Sequence, residues 1–373
     1  MAFLKIQIQR FRGINNCTID KLGKHVNLFV GRNNCGKTSV LDAIFLLTGM
    51  SNADLIRRIN ILREYRYSDF TNLAVLNFYN FDITKNINLQ CDEDTTTKRE
   101  LIISPIIDED LNNIKIDSIS NQTENKIIKL ELKFSKREGA LTNTEYVSIG
   151  EDDNNIESIE SSEKKSNRKQ NSTNFPQFKI TKPDRYKESI DCVFLNSKYS
   201  LTIENKTLSS IIENKQKDII INSLNRIDSK ITDIAIIGNN VLIDVGLNKL
   251  IPLEVLGDGI RKLLTIITAI YKCKDGIVLI DEIDNGLHYS SMSVLWDTIL
   301  YSAKEFNVQI FATTHNIDSL KALKSVLEIT EYISEQENIA CYRLRHSDND
   351  ELVAYRYDFE ELGLAIDMEH EIR

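Results

Sequence analysis

The chain has 373 residues, of which 42% are hydrophobic and 27% charged, and its formal net charge at pH 7 is −9. This composition is typical of a globular protein with a substantial core. The negative charge argues against a protein that coats nucleic acid with its whole surface, although it leaves room for a local basic groove. The sequence has no apolar run of the roughly 18–20 residues that a membrane span needs. It has no export signal at its start and no paired cysteines among its six, so we expect a cytoplasmic protein with free thiols and no membrane contact.

The first part of the chain alternates between strand and helix patterns. Strands are predicted at Phe3–Ile8, Asn16–Ile19 and His25–Val30, because apolar residues alternate or run continuously there. Helical spacing of apolar residues begins at Thr38 and stops at Gly49. The third strand would therefore lead through a short loop directly into a helix.

The middle of the chain has a different pattern of apolar and polar residues. Residues from about 73 to 132 read as alternating strands, and residues 208–227 read as a helix. Residues 150–174 are mostly Glu, Asp, Asn, Ser and Lys with almost no apolar side chain to bury, which predicts a disordered loop. We assign 84–245 to an insertion with a β-rich part and a helical lobe.

The last third of the chain predicts the remainder of an α/β core. The continuous apolar runs Ile277–Ile280 and Val308–Ala312 are typical of buried parallel strands, and a helical pattern follows each of them. We therefore predict an α/β nucleotide-binding core built from both chain ends, residues 1–83 and 246–373, and interrupted by the insertion.

The loop after the third strand matches the P-loop pattern G-x-x-x-x-G-K-[ST] in full. In this pattern the glycines let backbone N–H groups curl around phosphate oxygens at a helix N-terminus. Lys37 would reach the β- and γ-phosphates of ATP, and the Thr38 hydroxyl would ligate Mg²⁺. The predicted nucleotide-binding residues are Gly31, Arg32, Asn33, Asn34, Cys35, Gly36, Lys37, Thr38 and Ser39.

Two acidic residues, Asp281 and Glu282, follow the apolar run Ile277–Ile280. A buried carboxylate is costly without a partner, and a magnesium-bound phosphate is such a partner, so Asp281 would hold the metal. Glu282 would polarise the attacking water as general base. The alternative interpretation is that Asp281 and Glu282 form a solvated strand end without a catalytic role, and the presence of the P-loop favours the catalytic interpretation.

Two further segments admit both a structural and a functional interpretation. His315 follows a buried strand, and its place after the P-loop and the acidic pair favours a catalytic sensor of the terminal phosphate over a structural histidine. The segment Gly257-Asp258-Gly259 opens a helical pattern. It is either an ordinary turn with Asp258 as N-cap or a second phosphate-binding helix N-terminus, and the residues alone favour the turn.

The order of P-loop, Gly-x-Gly helix, Asp-Glu strand and histidine resembles the ABC-type ATPases of the RecF, SMC and OLD (overcoming-lysogenization-defect) group. Within that group it is most similar to the OLD-like ATPases. The resemblance covers about residues 1–50 and 250–320. It is carried by Arg12-Gly13-Ile14, Gly31-Arg32-Asn33-Asn34, Gly257-Asp258-Gly259, Ile280-Asp281-Glu282-Ile283, Gly286-Leu287-His288 and Ala312-Thr313-Thr314-His315.

The resemblance implies an ABC-type core that forms a homodimer or higher oligomer. In this family Gly257-Asp258-Gly259 takes the place of the signature motif, which touches the γ-phosphate held by a second subunit. His288 lies where transporters and SMC proteins carry the aspartate of the D-loop, which implies a role in communication across the dimer. Two features depart from the pattern: no Q-loop glutamine is found after Leu47, and the sequence lacks the long coiled coils of SMC proteins.

The resemblance also bears on nuclease activity. Full-length OLD nucleases carry a Toprim domain after the ATPase, with acidic metal ligands that include an Asp-x-Asp pair. Only 58 residues follow His315 here. Asp348 and Asp350 form such a pair, but they lie between two strand-like runs and read as a turn rather than a metal site.

The leading hypothesis is therefore an ATP-hydrolysing switch that controls a separate nuclease or other effector acting on DNA, in defence against phage. One alternative is a RecF-like DNA-repair ATPase. Another is a nucleotide-sensing adaptor with little turnover, against which Glu282 argues.

Overall fold

The computed structural model describes residues 2–65, 69–108, 126–151, 178–196, 205–347 and 351–367. Its strands are β1 (Lys5–Phe11), β2 (Ile14–Ile19), β3 (Val26–Val30), β4 (Ile87–Asp92), β5 (Thr97–Ile107), β6 (Ile127–Glu138), β7 (Leu141–Glu151), β8 (Phe178–Ile180), β9 (Cys192–Leu195), β10 (Asp233–Ile237), β11 (Asn240–Asp244), β12 (Ile251–Pro252), β13 (Ile277–Ile280), β14 (Gln309–Thr314), β15 (Ile339–His346) and β16 (Leu352–Tyr357). Its helices are α1 (Lys37–Thr48), α2 (Asp54–Leu62), α3 (Phe70–Val75), α4 (Asn205–Glu213), α5 (Lys217–Ile227), α6 (Asp258–Lys272), α7 (Met292–Glu305), α8 (Ile317–Leu327) and α9 (Phe359–Asp367). None of these helices is both long and apolar enough to cross a membrane.

The P-loop strand β3 lies within a mainly parallel sheet. In the described residues the strand order is β16-β15-β3-β14-β13-β9, and the antiparallel pairing is that of β16 with β15. The strands β3, β13 and β14 are buried along their whole length, as their continuous apolar runs predict. The expected α/β fold, with a P-loop core built from both chain ends, is confirmed.

Alternate residues of this sheet enter two hydrophobic cores. Phe29 and Leu279 belong to the core that the sheet shares with α1 and the antiparallel sheet, whereas Leu28 and Ile280 belong to the core shared with α6, α7 and α8. Both faces are therefore covered, and polar side chains gather where the strands end. The carboxyl ends of β3, β9, β13 and β14 meet at one edge of the sheet, because these strands run in parallel.

A second, antiparallel sheet holds α1 in place. Its strand order is β2-β1-β4-β5-β6-β7-β8. Helix α1 contacts β1, β4 and β5 of this sheet on one side and β9, β13 and β14 of the parallel sheet on the other. The helix that begins at the P-loop is thus packed between two sheets, which fixes the direction of its N-terminus.

Two local predictions are wrong. The segment interpreted as strand-like from residue 73 overlaps the helix α3, which is capped by Asp69: its side chain accepts a hydrogen bond from the backbone N–H of Asn72 at 2.8 Å. The single helix predicted over 208–227 is two helices, α4 and α5. Lys215 adopts a left-handed backbone with φ 57° between them, which ends the first helix.

The division into a core and an insertion stays a prediction, and the sheets cross its boundaries. Strand β9 lies inside the predicted insertion, 84–245, yet it pairs in parallel with β13, and β4 pairs with β1. The insertion range therefore supplies an edge strand to the P-loop sheet and most of the antiparallel sheet. Gly150 and Glu151 of the predicted disordered loop belong to β7, and the rest of that loop, 152–174, lies outside the described residues.

Candidate functional site

The P-loop connects β3 to α1 through backbone conformations that favour glycine. Gly31 has φ 148° and Gly36 has φ 95°, and Asn34 between them is left-handed with φ 64°. A Cβ at Gly31 would lie 2.6 Å from the carbonyl oxygen of Leu344, so a side chain there would collide with β15. The loop therefore needs glycine at both ends, for conformation and for space, and it leads directly into the N-terminus of α1, a favourable place for an anion.

Lys37, the first residue of α1, folds back over this loop. Its ammonium donates hydrogen bonds to the carbonyl oxygens of Gly31 at 2.7 Å and Arg32 at 2.8 Å. The positive charge is thus held at the mouth of the loop, beside the N–H groups of the first turn of α1. This arrangement suits a polyphosphate, because the charge and the helix N-terminus attract the same group.

Asp281 lies at the carboxyl end of β13 with its carboxylate almost fully buried. The Thr38 hydroxyl lies 3.2 Å from Oδ1 and 3.3 Å from Oδ2, and the Thr313 hydroxyl donates to Oδ1 at 2.7 Å. A hydroxyl and a carboxylate at this spacing are hard oxygen donors of the kind that Mg²⁺ prefers. The residues present therefore fit a magnesium ion, which Thr38 and Asp281 would hold against a bound phosphate.

Glu282 follows in an unusual backbone conformation. Its φ is 52°, a left-handed value that costs a residue other than glycine on the order of 1–3 kcal/mol. Its N–H donates to the Thr313 hydroxyl at 2.8 Å, and its Oε2 accepts a hydrogen bond from the Asn285 side chain at 3.2 Å. The Thr313 hydroxyl therefore connects the Asp281 carboxylate to the backbone N–H of Glu282.

A second acidic group lies beneath the Thr38–Asp281 pair. Asp42 of α1 is fully buried and forms ion pairs with Arg12 and Arg63. Arg63, at the C-terminal end of α2, also donates to Asp281 Oδ2 at 2.7 Å, and Arg12 donates to the Asn60 side chain at 2.9 Å. Burial lowers the pKa of Arg12, with Asp42 opposing the shift, whereas the pKa of Arg63 is raised because Asp42 and Asp281 together outweigh its burial.

The structure brings most of the predicted site residues to one cleft. Its lining includes the P-loop, the start of α1 and the ends of β13 and β14, in the form of Asn33, Asn34, Gly36, Lys37, Thr38, Ser39, Asp281, Glu282, Thr313, Thr314 and His315. His315 is exposed at the end of β14 and forms part of this lining. The catalytic and metal-binding candidates therefore lie at one cleft, and the roles assigned to them stay predictions.

Two predicted segments lie elsewhere. Gly257 is the N-cap of α6, so the capping role considered for Asp258 is wrong: Asp258 is the first helical residue and pairs with Arg261 at 3.2 Å. Neither Gly257 nor Asp258 lines the cleft, and both are exposed. His288 is also exposed and bonds to the Ser290 hydroxyl at 2.8 Å, at the start of a short 3₁₀ helix.

Comparison with known proteins decides the family. The family model for AAA ATPase domains matches residues 1–318, a range that includes the P-loop, the Asp281–Glu282 pair and His315. The chain belongs to the AAA ATPase domain family. The expected ATP hydrolysis is thereby confirmed at the level of the family.

This AAA ATPase is similar to several known proteins. It is 27% identical, over 347 residues and 91% of each chain, to a Helicobacter pylori protein described as an ATP/GTP phosphatase. An Smc head bound to the C-winged helix domain of ScpA aligns with a TM-score of 0.49 at 13% identity, covering 96% of this chain and 99% of that one. An Smc head domain from Pyrococcus furiosus with an extended coiled coil, bound to the C-terminal domain of ScpA, aligns with a TM-score of 0.47 at 11% identity, covering 99% of each chain. The narrower OLD-like membership stays a prediction.

Sequence reasoning missed three polar residues of this AAA ATPase site. Thr313 lies within the motif Ala312-Thr313-Thr314-His315, of which the sequence prediction named only His315 as a site residue. Arg63 had an indirect signal: Asp42 interrupts the apolar face of α1, and a buried carboxylate requires a cation. Asn196 follows β9, which no sequence pattern placed beside β13; its side chain donates to the Leu62 carbonyl at 2.8 Å, next to Arg63.

Proposed function

We propose that the protein is an ATP-driven dimeric switch that controls a separate nuclease or other effector acting on DNA, in defence against foreign DNA. The observation that carries the ATP-dependent part is the joint placement of Lys37, Thr38, Asp281 and Glu282 at one cleft. The control of a DNA-acting effector rests on the resemblance to OLD-like ATPases.

The chemistry follows from the positions of these side chains. Lys37 and the N–H groups at the start of α1 bind the phosphates, and Thr38 with Asp281 holds Mg²⁺. Magnesium supplies charge neutralisation on the phosphates when it is bound. Glu282 accepts a proton from the attacking water, and His315 at the rim hydrogen-bonds the terminal phosphate.

Dimerisation is supported by the surface around the N-terminus of α6. Gly257 and Asp258 are exposed, and a Cβ at Gly257 would meet no atom within 4 Å. Val255, two residues before Gly257, is 72% exposed, and Tyr289, two residues after the Leu287 that packs against Gly259, is 68% exposed. A helix N-terminus beside exposed apolar groups suits a second subunit that presents a nucleotide phosphate.

The dimer test uses the Glu282→Gln background, in which bound ATP is not turned over. Sedimentation with ATP and Mg²⁺ should show a dimer that disappears without ATP. Gly257→Asp should abolish the dimer, because its charge would face the phosphate, whereas the matched neutral variant Gly257→Asn should keep most of it. The backbone at Gly257 has φ −60° and ψ 153°, which any residue adopts, so both variants should fold as the parent does. A dimer that tolerates Gly257→Asp would contradict this interface.

The effector proposal is supported by the fold of Ile339–His346 and Leu352–Tyr357. Strand β15 pairs with β3 and β16 pairs with β15, so these residues extend the P-loop sheet. The Asp348-Asn349-Asp350 segment lies outside the described residues.

To test the effector proposal, the protein is incubated with ATP, with Mg²⁺ or Mn²⁺, and with linear, nicked or supercoiled DNA. DNA cleavage is measured, together with ATP turnover in the presence and absence of each DNA. We expect no cleavage by this protein alone, and cleavage or another effector activity when the product of the neighbouring gene is added. Cleavage by this chain alone would contradict the proposal.

A further inference from the structure

Lys262 is a buried cation outside the nucleotide cleft. It lies on α6, one turn after the segment Gly257–Gly259, and is only 6% exposed. Its ammonium donates to two backbone carbonyl oxygens, that of Glu282 at 3.1 Å and that of Asn285 at 2.6 Å. Burial lowers its pKa to about 8, although the nearby carboxylates of Asp284 and Glu282 oppose the shift.

Packing along the apolar face of α6 does not require a charge at this position. The neighbouring residues Leu263 and Ile266 are buried apolar side chains of the same helix, and an apolar residue of similar length at 262 would continue that face. The free-energy cost of burying the Lys262 ammonium is offset by its hydrogen bonds to the turn that runs from Glu282 to Asn285. Asp284 of that turn is itself buried, its Oδ1 has no hydrogen-bond partner in the described part of the chain, and the charge of Lys262 interacts with its carboxylate.

That turn carries the proposed general base. Glu282 is held in a left-handed conformation, and its carbonyl oxygen accepts hydrogen bonds from both the Lys262 ammonium and the Asn285 N–H, the latter at 3.0 Å. Lys262 therefore binds the turn at its first and fourth residues. The first of these bonds holds the Glu282 carbonyl where the left-handed backbone places it, and the second holds the far end of the turn at Asn285.

The same helix contacts the turn at a second point. A Cβ at Gly259 would lie 3.3 Å from Leu287 Cδ2, so the first turn of α6 packs directly against the end of the 282–287 segment. The N-terminal turn of α6 is thus connected to the Glu282 turn both by packing and by a buried cation.

We infer that Lys262 is a positioning residue for Glu282, and that it couples the N-terminus of α6 to the orientation of the catalytic carboxylate. This inference rests on the proposed role of Glu282 as general base. If a second copy of the chain engages Gly257–Gly259, the same helix would transmit that contact to the base of its own subunit.

The test separates positioning from binding. Lys262→Met should lower kcat for phosphate release about 10- to 100-fold, since small displacements of a catalytic group cost this much. The Kd for a fluorescent ATP analogue with Mg²⁺ should change less than about twofold, because the P-loop lies on other elements. The matched control is Thr268→Val: Thr268 lies further along α6, and its hydroxyl donates to the carbonyl oxygens of Leu264 and Thr265 of the same helix, so kcat should stay within about twofold. A Lys262→Met protein with wild-type kcat, or with ATP affinity lost in parallel, would refute the inference.

A double variant removes the remaining ambiguity. Lys262→Met leaves Asp284 without its cation, so Lys262→Met with Asp284→Asn removes both charges and should be the better-folded protein. If kcat stays low in this double variant while its melting temperature is close to wild type, positioning is supported. If kcat returns, the loss came from the unbalanced carboxylate and the inference fails.

The dependence on Glu282 is tested separately. Lys262→Met combined with Glu282→Gln should be no slower than Glu282→Gln alone, within about twofold, because Lys262 acts through Glu282. Wild-type turnover in Glu282→Gln would overturn the proposed base itself. A slow Glu282→Gln together with a normal Lys262→Met would leave the base in place and overturn only the role of Lys262.

Discussion

Replacing Arg63 should destabilise the protein far more than replacing other arginines of the same helix. Arg63 is 15% exposed in its side chain and binds two carboxylates, Asp42 at 2.7 Å and Asp281 at 2.7 Å. Arg63→Met keeps most of the aliphatic stem but leaves Asp42, which is fully buried, with Arg12 as its cation. The buried cluster then changes from two cations and two anions to one cation and two anions. Removing one partner of a buried ion pair costs about 3–5 kcal/mol, and we expect a loss in that range.

The matched control is Arg58→Met on α2. Arg58 pairs with Asp54 at 2.8 Å, but its side chain is 56% exposed. Exposed ion pairs contribute about 0–1 kcal/mol, so this variant should lose no more than that. Urea titration of both variants at one pH and salt concentration measures the difference. If Arg63→Met loses no more than Arg58→Met, the buried network does not stabilise the fold as argued.

The same variant also tests the metal site. Arg63 places a positive charge on the carboxylate proposed to hold Mg²⁺, so its removal should leave Asp281 more able to accept a divalent cation. The stabilisation produced by Mg²⁺ with ADP, relative to ADP with EDTA, should therefore be larger in Arg63→Met than in wild type. Equal stabilisation in the two proteins would show that Arg63 and the metal do not compete for Asp281.

Three further outcomes are expected. Glu282→Gln should bind ATP with Mg²⁺ as tightly as wild type, while kcat for phosphate release falls about 10²–10⁴-fold; an unchanged kcat would remove Glu282 as the base. Lys262 has a folded-state pKa of about 8 against 10.5 for an ordinary lysine, so between these values the unfolded chain binds more protons. The free energy of unfolding of wild type should then rise relative to Lys262→Met as pH increases above 8, by at most about 1.4 kcal/mol per pH unit; a flat or falling difference in urea titrations at pH 7.5 to 9.5 would be inconsistent with a buried ammonium. Asp348→Ala with Asp350→Ala should leave ATP turnover unchanged, and any DNA cleavage that this double change abolished would assign a nuclease site to that segment.

The sequence determined those parts of the site whose geometry is local. The P-loop residues adopt their conformation because Gly31 and Gly36 take positive φ values between a strand and a helix. Such a loop is encoded by neighbouring residues and needs no distant contact to be recognised. The acidic pair was recognisable for a similar reason, since two carboxylates after the buried run Ile277–Ile280 have no structural use without a cation.

Tertiary structure decided which distant side chains meet. Thr38 and Asp281 are 243 positions apart in the sequence, yet the Thr38 hydroxyl lies 3.2 Å from Asp281 Oδ1. They meet because β3, which leads to Thr38, and β13, which leads to Asp281, are separated in the sheet by the single strand β14. Neither Arg63 nor Lys262 belongs to a sequence motif. Arg63 ends an amphipathic helix and Lys262 lies within one, and a charged residue in such a place is ordinarily predicted to face solvent. Strand pairing and helix packing bury such residues, and the periodicity of the helix predicts neither the strand pairing nor the helix packing. The local sequence therefore specified the phosphate loop and the acidic strand end, whereas the order of the strands selected the side chains that hold Asp281 and Glu282 in place.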